Sequence, residues 1–334
     1  MHLHDFLARV HQDFEPRTYL EVGVRLGKSL TLSRVPSIGI DPAFEVRCPL
    51  HCDLHLVKAT SDDHFARANP IEHFDGLPID LAFIDGMHLF EYALRDFMNV
   101  ERHSHAGTVV VFDDMLPSAD RDADRARHRG FWAGDVFKII PVLHRYRPDL
   151  RLIPVSTSPT GVLMVIGLDP QNTVLNENYD QIVSEFVVDD PQQVPPLIKD
   201  RSCALEPDQV LNAPLAKRLH AARDGDGDGA KVAADVDAML GLTRLPKLGD
   251  WTPEPAGVRA DNASESRGTG KSVTGAGGKS ADGKAGGESG GGSASKQAGA
   301  ASGRGRHPLI RAVGRALPSP VRRRLRRYAV GRRS

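Results

Sequence analysis

Two short apolar runs, Ile79-Asp80-Leu81-Ala82-Phe83-Ile84 and Gly107-Thr108-Val109-Val110-Val111-Phe112, each stop on acid: Asp85 after the first, Asp113 and Asp114 after the second. Runs of this length, rich in β-branched and aromatic residues, read as strands buried on both faces of a parallel sheet. Residues 91–101 between them read as a crossover helix, with Tyr92, Leu94, Phe97, Met98 and Val100 at its apolar positions. A strand–helix–strand unit delivers both strand ends to one edge, with neighbouring strands ~5 Å apart. The three carboxylates are therefore expected to converge at the carboxyl edge, where open α/β sheets bind their ligands. Like charges at such range raise one another's pKa unless a cation neutralises them, and oxygen donors suit a hard divalent ion. Still open at this point is that Asp113-Asp114 caps a loop while Asp85 begins a turn.

The remaining runs extend the same pattern. A short amphipathic helix begins over 3–10, strands are predicted over 18–22, 37–41 and 54–59, and two further runs, 150–155 and 161–168, are joined closely enough to be a hairpin. The fold class expected is α/β: a Rossmann-like doubly wound sheet, mostly parallel, with an antiparallel last strand. A helix is predicted over 178–187, whereas 191–248 is Pro-rich and poorly patterned. The organisation expected is a domain over 1–170, a partly helical extension over 171–251, a disordered linker rich in Gly, Ser, Ala and Lys over 252–303, and a basic amphipathic tail over 304–334.

The net charge of zero hides a division: residues 252–334 carry 17 Lys and Arg against 5 Asp and Glu, and residues 1–251 carry 26 against 38. Three cysteines make no disulfide framework and suit a reducing compartment. No signal peptide is read at the N-terminus, and no run approaches the ~20 apolar residues of a membrane span. The expected location is cytoplasmic, with peripheral membrane contact through the tail as an option.

Glu21-Val22-Gly23-Val24-Arg25-Leu26-Gly27-Lys28-Ser29 follows the first strand and is expected to open a helix, with glycines that let backbone amides approach an anionic ligand. Asp41 ends the second strand, twenty residues after Glu21, where an acid suits the ribose hydroxyls of an adenosine. Neither G-x-G-x-x-G nor the P-loop pattern is present; what stands here is E-x-G-x-x-x-G-x-S.

With the terminal hairpin, this resembles the class I S-adenosylmethionine-dependent methyltransferases. The resemblance implies S-adenosylmethionine as cofactor, with Glu21, Gly23, Gly27, Ser29 and Asp41 lining its site and Asp62 beside the adenine, a helix cap being the other reading of Asp62. Phe83-Ile84-Asp85-Gly86-Met87-His88, with Asp113-Asp114 downstream, is similar to the F-I-D-G-x-H and D-D motifs of the metal-dependent macrocin and novobiocin type sugar O-methyltransferases. That resemblance spans about residues 18–170. It implies Asp85, Asp113 and Asp114 as ligands of Mg2+ or Mn2+ and Asp85 as the base; Phe90 stands where the group usually has Tyr. A sugar hydroxyl is a poor acid, so direct contact with a divalent cation would lower its pKa. His88 is a second candidate base, or a packed histidine bonded to the loop backbone.

The long connection 115–138 follows the metal acids and is expected to form a lid, with Trp132 stacking on a sugar and Asp135 binding a hydroxyl; its W-x-G-D-V stretch is similar to one in that group. The plainer reading is a solvated loop followed by a core helix using Phe131, Val136 and Phe137. The acceptor expected is a small molecule or glycan, and a homo-oligomer is compatible with the sequence. Rival functions are phenol or catechol O-methylation, a metal-independent enzyme, and a cofactor-binding protein whose tail binds nucleic acid, a partner the sequence disfavours. In the tail, Leu309, Val313, Leu317, Val321, Leu325 and Tyr328 recur among nine arginines in the last 28 residues. Cys48, His51, Cys52 and His55 lack the paired spacing of a structural zinc site, and Asp224, Asp226, Asp228 and Asp235 imitate a calcium loop better read as a solvated linker.

Overall fold

The computed structural model describes residues 1–225, 227–242 and 245–254; the linker beyond 254 and the basic tail lie outside the described residues. Seven strands form one sheet: β1 Tyr19–Val22, β2 Ser37–Ile40, β3 Leu54–Val57, β4 Leu81–Ile84, β5 Val109–Phe112, β6 Arg151–Val155 and β7 Val162–Ile166. Their order is β3-β2-β1-β4-β5-β7-β6. The first five run parallel, and β7 is antiparallel to both β5 and β6. The expected hairpin and antiparallel last strand are present. Chain leaving β1 goes to β2 on one side and chain leaving β4 goes to β5 on the other, so a crevice opens between β1 and β4 at the carboxyl edge.

Successive side chains alternate between two buried layers, which is why the strands read as unbroken apolar runs. Leu20, Val22, Ala82, Ile84, Val110 and Phe112 face one layer, with Phe90, Leu94 and Phe97 of helix α3 (Phe90–Arg102). Tyr19, Leu81, Phe83, Val109 and Val111 face the other, with Phe6, Leu7 and Val10 of helix α1 (Leu3–Phe14).

The stretch after β1 departs from expectation. It opens no helix, only a 3-10 turn over Ser29–Leu32. Pro36 and the start of β2 at Ser37 follow too soon for more. The β2–β3 link adds no helix either, so α1 alone leaves the second layer partly bare.

The C-terminal extension covers it. After α2 (Ser61–Phe65) and α4 (Ile139–Tyr146) come α5 (Val174–Glu177), α6 (Tyr179–Phe186), α7 (Pro196–Lys199), α8 (Pro207–Leu211), α9 (Leu215–Asp224) and α10 (Gly229–Leu240). Val210, Leu215, Leu219, Val232 and Val236 bury themselves beneath the sheet with α1, while Leu175, Ile182, Phe186 and Ile198 join the α3 layer. The stretch that reads as poorly patterned thus contributes helices α7 to α10 to the core.

The calcium-like acids have other partners: Asp228 Oδ1 accepts the amides of Ala230 and Lys231 at the start of α10, and Asp235 pairs with Arg218 at 2.6 Å. Asp226 lies outside the described residues. Cys48, Cys52 and Cys203 are free thiols. Among the described residues no helix is long and apolar enough to cross a membrane.

Candidate active site

Each acid sits one residue past a strand end, where the sheet ladder still holds it. The Asp41 amide donates to Val57 at 3.0 Å, Asp85 to Val22 at 2.8 Å and Asp113 to Ile84 at 3.1 Å. With Ile84 opposite Phe112 in the register, Asp85 and Asp113 follow side by side.

The side chains that meet most closely are Asp85, His88 and Asp114, whose ligand atoms lie within 4.8 Å of one another. His88 Nε2 is 3.3 Å from Asp85 Oδ1, and His88 Nδ1 is 2.5 Å from Asp114 Oδ2. Two of the three expected acids are thus brought together with His88, and Asp113 is placed close enough to feel the charges of Asp114 and Asp85. His88 and Asp114 have φ of 55° and 62°, left-handed backbone that non-glycine residues seldom adopt. Such strain is typical of sites where surrounding structure fixes the geometry.

Burial raises the pKa of Asp85 despite its contacts with His88. Asp113 is pushed well up, first by burial and then by the charges of Asp114 and Asp85. On His88 burial acts in the opposite sense, but hydrogen bonds and charge from Asp114 and Asp85 outweigh it, so the imidazole titrates well above its ordinary value. A protonated imidazole cannot accept a proton, which leaves the carboxylate of Asp85 as the candidate base of the two. With the His88 ring deprotonated the set fits a divalent ion: two carboxylates and a neutral imidazole suit Mn2+ at least as well as Mg2+.

The connection 115–138 folds over this cluster, as a lid would. The Trp132 ring stacks on His88, centroids 5.0 Å apart and planes within 17°, and its Nε1 donates to the Asp124 carbonyl at 2.6 Å. The Arg127 guanidinium lies 5.4 Å from the same ring's centroid. One face of Trp132 is thus occupied by the site's own histidine rather than open to a sugar. Gly134 has φ +71°, and a Cβ there would fall 1.8 Å from the His88 carbonyl oxygen, so only glycine lets the strap cross His88 at this distance.

Asp135, expected to bind an acceptor hydroxyl, is engaged by groups of the protein itself. It is fully buried: Oδ1 accepts the Phe90 amide at 2.9 Å, Oδ2 accepts Lys138 Nζ at 2.9 Å and pairs with Arg125, which also reaches Glu91 at 2.6 Å. It ties the strap to the first turn of α3. Phe131 is 44% exposed, against the core position read for it, and Val136 and Phe137 are buried. Phe90 packs against Phe186 in the core, centroids 5.8 Å apart, so a ring without a hydroxyl is what this position uses.

In the nucleotide half, Gly23 has φ +95° and a Cβ there would fall 1.9 Å from the Asp85 carbonyl oxygen; its bareness lets the loops after β1 and β4 touch across the crevice. Asp41 accepts the amides of Arg25 (2.8 Å) and Ala43 (2.6 Å), which fix its carboxylate while leaving lone pairs free. Glu21 is fully buried and takes hydroxyl bonds from Tyr19 and Ser29, both at 2.7 Å. Ser29 thereby orients Glu21, and burial, opposed by these bonds, raises the Glu21 pKa to about 8. Gly27 packs its Cα face on Val46. Asp62 is paired with Arg95, Nη2 to Oδ2 at 2.8 Å, and the cap of α2 is Thr60, whose Oγ1 accepts the Asp63 amide. Asp96 was missed from sequence, being an acid inside an amphipathic helix; it is buried with an unpaired carboxylate oxygen.

Residues 46–115 match a family model described as a methyltransferase domain, a span that runs from the β2–β3 link to the end of the Asp113-Asp114 pair. No curated protein matches the chain at a significant level. Among solved structures it is similar to a putative O-methyltransferase from Klebsiella pneumoniae (15% identity over 49% of this chain and 78% of that one, TM-score 0.36). It is also similar to the O-methyltransferase of Bacillus cereus in complex with SAH (15%, 50% and 80%, TM-score 0.35). A third is TomG from Streptomyces achromogenes, an O-methyltransferase involved in tomaymycin synthesis, in complex with SAM (18%, 49% and 78%, TM-score 0.36).

Proposed function

We propose that this chain is an S-adenosylmethionine-dependent O-methyltransferase, assisted by a divalent metal ion and acting on a sugar hydroxyl of a glycan, glycolipid or glycosylated metabolite. The observation that carries the reading is the Asp85, His88 and Asp114 cluster at the mouth of the β1–β4 crevice, inside the span matched by the methyltransferase model. Asp41, fixed by two amides across the crevice, supports the adenosine end of the cofactor.

Methyl transfer needs the acceptor oxygen in line with the S–CH3 bond and at near-attack distance. The oxygen takes the methyl carbon, the S–CH3 bond breaks toward sulfur, the sulfonium becomes a neutral thioether, and the hydroxyl proton must leave. Asp85 is the group to receive that proton, and its raised pKa brings it closer to the range where a general base works at neutral pH. Asp85, Asp114 and His88, with Asp113 beside them, would hold a divalent ion, which supplies a lowered pKa and a fixed orientation for a hydroxyl in contact with it. The strap carrying Trp132 keeps water from the reacting atoms.

A metal-free variant is favoured by one observation: His88 lies between Asp85 and Asp114, and its protonated ring would offset one of their two charges. Transfer of labelled methyl from S-adenosylmethionine to glycosides and to catechols, with Mn2+, Mg2+ or EDTA, separates these readings. Glycoside methylation abolished by EDTA and restored by metal supports the proposal. Full activity in EDTA removes the metal, and activity on catechols alone removes the sugar.

A further inference from the structure

Acid and base alternate along the strap from Asp120 to Arg125, a pattern that would pair neighbours on a solvated face, yet the acids are held elsewhere. Asp120 accepts the Val194 amide at 2.8 Å and pairs with Lys199 at 3.2 Å; Asp122 accepts Ser118 Oγ at 2.8 Å and the Ala119 amide at 3.1 Å. Asp124 is close enough to feel Arg121 and His128, but among the described residues no ion pair joins it to either. Arg121, Arg127 and Arg129 are exposed and stand in no ion pair among the described residues. The His128 ring ties this turn together: Nδ1 lies 3.0 Å from the Arg129 carbonyl oxygen and Nε2 2.8 Å from that of Arg121. Carbonyl oxygens only accept, so both ring nitrogens donate and the ring is an imidazolium. The same bonds raise its pKa above the ordinary value. Three guanidinium groups and an imidazolium on one tied turn repel one another, and a bound anion relieves that repulsion. The turn also reaches the candidate active site. The Arg127 guanidinium lies 5.4 Å from the Trp132 ring centroid and that ring stacks on His88 at 5.0 Å, so the guanidinium stands two ring spacings from the imidazole between Asp85 and Asp114. Phe131, 44% exposed, adds an open aromatic ring to the same turn.

We propose that this turn selects the acceptor: Arg127, with Arg121 and Arg129 on the same tied turn, receives a carboxylate or phosphate carried by the sugar whose hydroxyl is methylated. The assignment rests on the sugar reading above and narrows it to anionic sugars. A guanidinium presents parallel N–H donors that match either group, and it stays charged at any working pH. One sugar ring with its substituent covers the span from the Asp85, His88 and Asp114 cluster to Arg127. Trp132 then positions Arg127 instead of stacking on the sugar. Residues 1–251 carry 38 acidic against 26 basic side chains, so a cationic turn beside the cluster guides an anionic acceptor to a body that otherwise repels it.

The test measures methyl transfer by the full chain to methyl glucoside, methyl glucoside 6-phosphate and methyl glucuronide, which share a ring and differ only in the group at one carbon. The wild-type chain should favour an anionic probe over the neutral one by roughly tenfold in kcat/KM at low ionic strength, and added salt should narrow the ratio. A preference for the phosphate alone names phosphate as the anion recognised, and one for the glucuronide alone names the carboxylate. Replacing Arg127 and Arg129 together by Gln removes two exposed charges, so the melting temperature should hold while the ratio falls toward one, chiefly through a higher KM for the anionic probe. Equal wild-type kcat/KM for the three probes overturns the proposal and leaves sugar methylation standing, as does a preference that survives unchanged in the double variant. Transfer to none of the three counts against the sugar reading itself and takes the proposal with it, a result distinct from the other two.

Discussion

At Asp85 the backbone and the side chain do different work: the ladder sets where the carboxylate starts, and His88 sets where it ends. Asp114→Asn keeps the shape and removes the charge, so methyl transfer should fall by ~100-fold or more. Affinity for S-adenosylmethionine should stay within about twofold, since Asp114 lies outside the nucleotide half. Normal turnover in that variant, measured by product formation, would remove the cluster from the chemistry. Asp41→Ala should do the reverse, weakening cofactor binding by ~10-fold in calorimetry with no change in metal affinity. Glu21 gives a pH-dependent prediction. Its folded pKa of about 8 lies above the ordinary carboxylate value, so the folded chain holds a proton that the unfolded chain releases. That stability is fully present below about pH 4.5 and is lost as pH rises toward 8, at ~1.4 kcal/mol per pH unit. Glu21→Gln should therefore match wild type in denaturant midpoint near pH 5 and exceed it near pH 8; equal midpoints at both would place the pKa elsewhere. The acids were legible in the sequence because each ends an apolar run. His88 as a third member, and Asp96, were not, because both depend on packing between segments.

Among elements, the strap 115–138 shows how a charged loop can be core. Arg125, Asp135, Lys138 and Glu91 form a nearly dry network that ties the strap to the first turn of α3, and the strap in turn lies across His88. Asp135→Asn leaves Lys138, fully buried, without its carboxylate and should cost ~3–5 kcal/mol in thermal or denaturant unfolding. Replacing Lys138 by Met at the same time should recover much of that loss, because paired removal of buried charge is far less costly than single removal. A double variant as unstable as Asp135→Asn would mean that the network is not the anchor. Sequence reading placed this segment over the site but took its acid for a ligand contact, because alternating charge reads as a solvated face. Helices α9 and α10 lie in the stretch that reads as poorly patterned: each buries only a narrow apolar stripe, Leu215, Leu219 and Ala222 on one and Val232, Ala233 and Val236 on the other, with charge around the rest. Their need is visible only in three dimensions, where the short β1–β2 and β2–β3 links leave a sheet face without helices.

For the whole molecule, the division between an acidic body and a basic C-terminal segment makes two truncations behave oppositely. Ending the chain before α8 strips Val210, Leu215, Leu219, Val232 and Val236 from the layer under β1, β4 and β5. At ~1.5–3 kcal/mol for each large apolar side chain returned to water, that loss matches or exceeds the whole stability of an ordinary domain, so this fragment should aggregate or fail to fold. Removing only residues 304–334 takes away none of the described core and should leave the melting temperature and methyl transfer to a soluble acceptor unchanged. What it should remove is affinity for anionic bilayers. Residues 1–251 carry 38 acidic against 26 basic side chains and are repelled by such a surface, whereas the last 28 residues alone hold nine arginines among apolar positions. Each basic residue near an anionic leaflet contributes about 1 kcal/mol, an attraction that added salt screens. The full chain should therefore sediment with phosphatidylserine vesicles at low ionic strength and be released at high ionic strength, and the shortened chain should stay in the supernatant under both conditions. Sedimentation of the shortened chain would assign the contact to the body, and a full chain that ignores the vesicles would leave the basic segment to an acidic macromolecular partner.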